Sequence, residues 1–487
     1  MEQVRKFAFD VGWVFVSSIV TLLIGFPLGI VLARWLGAAN LGLYRMVTTI
    51  QGIAALVATF GIPPALIKYV AEYKDDKDKL TQTTTSGIIS SVIFGIVAGI
   101  LLYALSGILA SVFHMPELSH LLRILAFVFP FTSLVGTLIG LLNGLREMKT
   151  YAFLVILQSI LSIVFIMAFV VGFGFGVEGA VFGIILSAVG ACIGGLYLSR
   201  KFLRLNLQNL RQNTRKLVLF GSQLFGANAV NIIANQADII LIGYFLAKAD
   251  VGYYSIAISL SMFLTLIPSA IQRITYPTTS EYWSKNNHQA LQKMIDKSMK
   301  YSACILLPLG LGVGFFSQEI IALLYGQEYI YAVLPLCVLL IARVIRGGTA
   351  VPIGGSVTAV GRPDFALKIM AISAGTNVGL NILLIPRFGI LGAAIATTVS
   401  LLLGNAIGLA VTQRILKVKI DFKWYAWTMG LAAAAVGLFL AGSDLISHYI
   451  AGGVILCAYT ALIFTFFLTK EDKTIFRSLA YSVIPRR

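Results

Sequence analysis

The sequence predicts an all-α polytopic membrane protein: fourteen transmembrane helices in two six-helix lobes related by a parallel repeat, plus a C-terminal helix pair. Three observations predict it. Hydrophobic residues make up 58% of the 487 positions and charged residues only 12%, against about 25% charged in average soluble proteins. The apolar residues recur in blocks of about 20, the length a helix needs to cross a hydrocarbon core of roughly 30 Å. The basic residues concentrate on alternate connecting segments.

The elements follow in order. The block from Phe7 to Trp35 is too long for a signal-peptide core and has no cleavage site behind it, so it is the first span, 8–35. LGAANLGLYRM (Leu36–Met46) turns the chain into span 41–60. The internal loop KYVAEYKDDKDKLTQ leads to 85–112, followed by 121–142. Spans 152–175 and 179–199 are linked by FGVEGAVFG (Phe175–Gly183). SRKFLRLNLQNLRQNTRK then reads as an amphipathic helix along the inner surface. Spans 217–246 and 251–272 are joined by LAKADVGYYSI (Leu246–Ile256). TSEYWSKNNHQALQKMIDKSMK reads as a second surface helix. Spans 301–316, 332–350, 365–385 and 390–413 complete the second half, the last two linked by FGILGAAIA (Phe388–Ala396). Spans 424–446 and 449–469 are the appended pair.

With the N-terminus inside, 30 of the 37 Lys and Arg residues fall on cytoplasmic segments. Arg34, Arg45, Arg123, Lys248 and Arg387 fall outside, and Arg343 and Arg346 lie within a span. The positive-inside rule then sets the orientation in the cytoplasmic membrane, with both termini cytoplasmic. The net charge of +17 is explained by the anionic inner leaflet rather than by nucleic acid. Cys192, Cys304, Cys337 and Cys457 all fall in spans without metal-ligand spacing and read as small buried hydrophobes.

The two outer turns after spans one and seven are offset by 210 residues, and the turns FGVEGAVFG and FGILGAAIA by 213. The near-constant offset divides the chain into an N-terminal lobe, 1–205, and a C-terminal lobe, 206–420. Residues 421–487 hold the accessory helices and a cytoplasmic tail. Six spans per lobe is an even number, so both lobes share one orientation, the parallel-repeat arrangement of transporters with a site near the midplane.

The repeat, the fourteen spans, LGAANLGLYRM and NGLREMKTYAFL (Asn143–Leu154) resemble the polysaccharide-flippase branch of the multidrug/oligosaccharidyl-lipid/polysaccharide exporter superfamily. The resemblance implies two V-shaped lobes and movement of a polyprenyl-diphosphate-linked oligosaccharide from the inner to the outer leaflet. The partners expected with it are the lipid-linked substrate, membrane lipids and a downstream polymerase or ligase. The chain is expected to act as a monomer with no cofactor beyond a coupling Na⁺ or H⁺.

Ionisable residues inside spans carry the site expectations, because each costs at least about 2.5–3.5 kcal/mol unless it faces a cavity or a partner. Arg343 is roughly 16 Å along its span, and Arg346 is one turn further on the same face. Two guanidiniums so placed match a diphosphate by bidentate hydrogen bonding; an internal ion pair is the competing role. Arg34 and Arg45 flank the first outer turn. In related flippases, arginines on the first two spans line the cavity; here the same pair also fits anchoring at the outer interface. Arg273, at the inner end of span eight, is either a substrate contact or ordinary inside charge. Lys68 after GIPP has the same two roles, guiding the anionic headgroup or marking the inner side.

Asn228, Asn231, Asn235 and Asp238 form one helical stripe. Asp238 is an acid deep in the membrane, at a depth matched by Asn377, Asn381 and Thr397. One carboxylate with amide and hydroxyl oxygens is a hard-cation set, and in some lipid II flippases an acid on span seven joins spans eleven and twelve around sodium. Here Asn381 stands where a second acid would be expected. Sodium, proton coupling and a structural hydrogen-bond network remain as three readings. The chain has no Walker motif, no His–carboxylate pair in it suggests catalysis, and its external acids are scattered on short turns, so it is expected not to be an enzyme. The two rival classes are a drug or cation antiporter of the same superfamily and a membrane glycan transferase or polymerase.

Overall fold

In hydrocarbon only an element that satisfies its own backbone can cross, and the described residues form helices with no strand among them. The computed structural model describes residues 2–442, 447–469 and 471–474; the tail 475–487, expected to be cytoplasmic, lies outside the described residues. The first unit begins with α1 Glu2–Thr59, α2 Ile62–Glu72 and α3 Lys77–Val112. Then come α4 Pro116–Gly144, α5 Met148–Gly172, α6 Gly176–Ser199, α7 Leu210–Phe245 and α8 Lys248–Ser284. They are followed by α9 His288–Phe315, α10 Ser317–Leu324, α11 Gln327–Gly348 and α12 Ala350–Ala359. The last are α13 Pro363–Leu416, α14 Phe422–Gly442 and α15 His448–Phe467. Twelve of these are long and apolar enough to cross a membrane.

Two of the twelve are broken by a glycine. Gly37 in α1 has φ 72° and ψ 169°, and Gly389 in α13 has φ 59° and ψ −142°. Both conformations are strained for any residue with a Cβ, so the helix axis can turn there. Gly176, which the 213-residue offset aligns with Gly389, has φ 57°. The two similar turns therefore share a positive-φ glycine as well as a sequence.

The chain divides into two compact units, Met1–Ser255 and Ile256–Arg487. In the first, α5 packs on α6 and α1, and α3 packs on α4. Ile62, Ala65, Leu66 and Val70 of α2 bury against Leu141 of α4, Leu145 just beyond its end and Leu217 of α7. α7 belongs to this unit, whereas the repeat assigns it to the second half. In the second unit α11 packs on α9 and α13. A second core runs from Leu291 through Phe315 on α9 to Tyr425 on α14 and Tyr459 on α15.

The two expected surface helices are not separate elements. Residues 200–209 contain no helix, since α6 ends at Ser199 and α7 begins at Leu210. Residues 279–300 are the ends of α8 and α9. The chain reverses at Asn286, φ 53°, and the Asn287 side chain caps α9 by accepting from the Ala290 N–H at 3.0 Å. The cap satisfies an otherwise orphaned donor, so the polar sequence is spent on a helix start rather than on an interfacial helix.

The end of α15 is fastened to α9. Asp472 is 5% exposed and accepts from Lys300 Nζ at 2.8 Å, from Tyr301 Oη at 2.8 Å and from Thr469 Oγ1 at 2.7 Å. Burial pushes its carboxyl up, but the bonds from Lys300, Thr469 and Tyr301 outweigh it and hold the group far below the usual carboxylate range. A depressed acid stabilises the fold fully above its unfolded pKa, near 4, and the contribution fades as pH falls toward the folded value. Asp472→Asn is therefore expected to cost about 3 kcal/mol at pH 7. In thermal unfolding in detergent, the gap between variant and wild type should narrow steadily below pH 4; a gap unchanged with pH would refute the assignment.

Candidate functional site

The arginines of α11 are positioned from its polar and glycine-rich end. Ser302 Oγ on α9 donates to Gly347 O at 2.7 Å, and Thr349 Oγ1 donates to Asn405 Oδ1 on α13 at 2.9 Å. Thr398 Oγ1 on α13 donates to Val338 O at 2.9 Å. A Cβ on Gly348 would lie 3.1 Å from Ala303 Cα, so α9 and α11 approach closely here. These contacts fix the last turns of α11, where Arg343 and Arg346 sit half-buried one turn apart. Arg346 forms no ion pair among the described residues. The pair adds two fixed positive charges inside a membrane-crossing helix and can bind an anion with two charges.

The acid on α7 is buried with a specific donor. Asp238 is 5% exposed and accepts from Tyr254 Oη on α8 at 2.7 Å. Tyr254 is fully buried. The phenol was missed in the sequence: it lies within the quoted LAKADVGYYSI, but its sixteen-residue separation from Asp238 gave no local signal. Next to Asp238 on another face, Gln236 accepts from Thr49 Oγ1 of α1 at 3.4 Å, so α7 is held to both α1 and α8.

In the second unit, the kink at Gly389 folds α13 back so that Asn377, Asn381 and Thr397 meet. Asn377 Nδ2 donates to Thr397 Oγ1 at 3.0 Å, and Asn381 Nδ2 donates to Asn377 Oδ1 at 3.1 Å. All three are buried. Matching depth from the turn, read in the sequence, brought these three together. Two of their side-chain oxygens already accept amide N–H groups, and the trio has no charge. The arrangement is a hydrogen-bonded network of three neutral side chains. Among the described residues no group of three His, Cys, Asp or Glu side chains is placed to hold a metal.

The other expected contacts differ in environment. Arg34 is exposed and Arg45 half-buried on α1, on either side of the Gly37 kink. Arg273 is exposed on α8. Lys68 on α2 lies over the Phe220 ring of α7 at 4.3 Å and the Tyr69 ring at 4.9 Å, a cation–π fastening between α2 and α7.

The turns LGAANLGLYRM and LAKADVGYYSI pack on each other. A Cβ on Gly42 would lie 1.7 Å from Lys248 O, and one on Gly252 would lie 2.2 Å from Ala38 O. The 210-residue offset pairs Gly42 with Gly252 and Ala38 with Lys248, so each glycine receives the carbonyl that its counterpart's turn provides. This is the reciprocal contact of a two-fold interface, made within one chain. Lys248 also reaches Glu117 on α4 at 2.7 Å.

A family model described as polysaccharide biosynthesis protein matches residues 31–334. Agl15 of Haloferax volcanii, described as a probable low-salt glycan biosynthesis flippase, is 25% identical over 398 residues, 81% of this chain and 81% of its own length. Stage V sporulation protein B of Bacillus subtilis is 23% identical over 501 residues, covering 94% and 95%. The structure of the lipid II flippase MurJ in its inward closed conformation aligns with a TM-score of 0.74 at 14% identity, over 94% of this chain and 99% of that one. An inward-facing multidrug resistance MATE family transporter of the MOP superfamily aligns at 0.68 and 16% identity, over 82% and 94%. Identities this low establish a common fold.

Proposed function

The chain belongs to the polysaccharide biosynthesis protein family, and from that premise we propose that it is a flippase for polyprenyl-diphosphate-linked oligosaccharides. It is a transporter and not an enzyme. The observation that carries the substrate class is the Arg343–Arg346 pair on α11, a doubled guanidinium suited to a diphosphate. The diphosphate binds there, the sugars occupy the aqueous path, and the polyprenyl tail stays in lipid. Alternation between inward and outward access completes transfer to the outer leaflet. A downstream polymerase or ligase consumes the product, and the flippase works as a monomer. Asp238 is the coupling acid, with H⁺ as the coupling ion: two oxygens of the trio on α13 already accept hydrogen bonds, and the trio supplies no charge to hold Na⁺.

Fourteen crossings follow if each glycine-broken helix crosses twice. At 1.5 Å per residue the 48 residues from Gly12 to Thr59 extend about 70 Å, more than twice the hydrocarbon thickness. The basic segments then face the cytoplasm. Cysteines placed in the Ser199–Lys216 linker are expected to resist a membrane-impermeant thiol reagent in intact cells and to react once the cells are opened. Labelling in intact cells would reverse the topology.

The function is tested by reconstitution. Proteoliposomes should move lipid-linked oligosaccharides between leaflets faster than protein-free vesicles, and glycan-free amphiphilic cations should not be moved. Transport of the cations with no movement of any lipid-linked glycan would replace the flippase by a drug antiporter.

A further inference from the structure

The middle of α7 is exposed on two chemically different faces. Asn228, Asn231 and Asn235 are exposed and lie on one side, at steps of three and four residues. Leu219 and Ile233, 56% and 50% exposed, lie on the other; Ile233 is two residues from Asn231 and from Asn235, roughly opposite both. Beyond Asn235 the helix is covered again, at Ala237, Asp238 and Ile239. Asn231 is fourteen residues before the end of α7 at Phe245, about 21 Å along the axis, well inside the hydrocarbon thickness. Hydrocarbon accepts the Ile233 face and rejects exposed amides. The asparagine face therefore borders water.

The exposure separates these amides from the structural ones. Asn377 and Asn381 are buried and bonded to one another, as expected of polar groups joining helices. On α7, Asn235 Nδ2 donates to both Asn231 O and Asn231 Oδ1 at 2.7 Å. That bond links Asn235 to Asn231 and leaves both exposed, with Asn228 exposed on the same side. The strip is uncharged, so it has no preference for phosphate. Each amide both donates and accepts, which is the complement of a hydroxyl group. Steps of about 4.5 and 6 Å along the axis are on the scale of one sugar ring.

We propose that Asn228, Asn231 and Asn235 form a neutral amide rail that binds the hydroxyls of the glycan in the translocation path. The assignment rests on the flippase reading and adds to it which surface carries the sugars. Single bonds of this kind are weak and sequence-tolerant, so the rail would accept several glycans while the arginines demand the diphosphate.

Single cysteines test the rail without requiring transport. Asn231→Cys should react with a charged, membrane-impermeant methanethiosulfonate, above the wild-type baseline, at least about tenfold faster than Ile233→Cys, as water access on one face alone requires. A polyprenyl-diphosphate-linked tetrasaccharide should slow that reaction, and polyprenyl diphosphate without sugar should not. Equal labelling of both positions, or protection by the sugar-free lipid alone, overturns the rail. In transport, the triple Asn→Leu variant should lose about tenfold or more for the tetrasaccharide lipid, as loss of several weak hydrogen bonds implies, and keep its rate with the sugar-free lipid. Equal loss for both lipids, or none, also overturns it. If wild type moves neither lipid, the flippase reading fails, while sugar-specific protection of Asn231→Cys would still identify a glycan-binding strip.

Discussion

Replacing Arg343 and Arg346 together by alanine is expected to abolish transport of diphosphate-linked glycans while leaving insertion and folding intact. Each guanidinium supplies charge-assisted hydrogen bonds of about 1.5–3 kcal/mol, so the pair accounts for a loss of at least about 100-fold. The fold should survive, because Ser302, Thr349 and Thr398 tie α11 and the residue after it to neighbouring helices. Arg→Lys at both positions should restore only part of the rate, since an ammonium keeps the charge and loses the planar fork. The measurement is initial flipping rate in proteoliposomes at matched protein incorporation. Wild-type rates in the double alanine variant would remove the arginines from the site.

Asp238→Asn is expected to slow flipping by about 5- to 150-fold, the range of a typical coupling free energy, and to flatten its dependence on a pH gradient. Asparagine keeps the size of the side chain and can still accept from Tyr254, which donates to Asp238 at 2.7 Å. What it loses is the ability to take up and release a proton. Flipping is measured across imposed pH and sodium gradients. Loss of sodium dependence with the pH profile intact would assign coupling to Na⁺ instead. Wild-type rates with wild-type ion dependence would leave the Asp238–Tyr254 bond as a structural link. Tyr254→Phe is a useful companion, since it removes the donor while retaining the carboxylate.

Much of this was legible in the chain itself. Hydrophobic blocks gave the helices because hydrocarbon permits little else. The repeat offset picked out turns that share a positive-φ glycine, Gly176 and Gly389, and turns that pack reciprocally, as Gly42 and Gly252 do. Depth from a turn paired Asn377 and Asn381 with Thr397, because helical rise converts residue number into distance. Other features had no such conversion. Tyr254 meets Asp238 across a helix boundary, and Asp472 meets Lys300 and Tyr301 over more than 170 positions. The expected surface helices were replaced by ordinary helix ends, since an amphipathic pattern fits both until a cap such as Asn287 is seen.

The sequence by itself determined the helical class and the position of each polar residue along its helix, because these follow from composition and from the fixed rise of a helix; the family followed from the resemblance of its repeat and turns. Only the tertiary structure decided which polar groups are spent on each other and which remain turned to open space. Asn381 and Asn231 are the same residue type in similarly apolar helices; one is buried in a bonded trio and the other is exposed. That difference depends on which neighbour covers each helix face, and coverage is set by packing between segments far apart in the chain, about which local pattern carries no information.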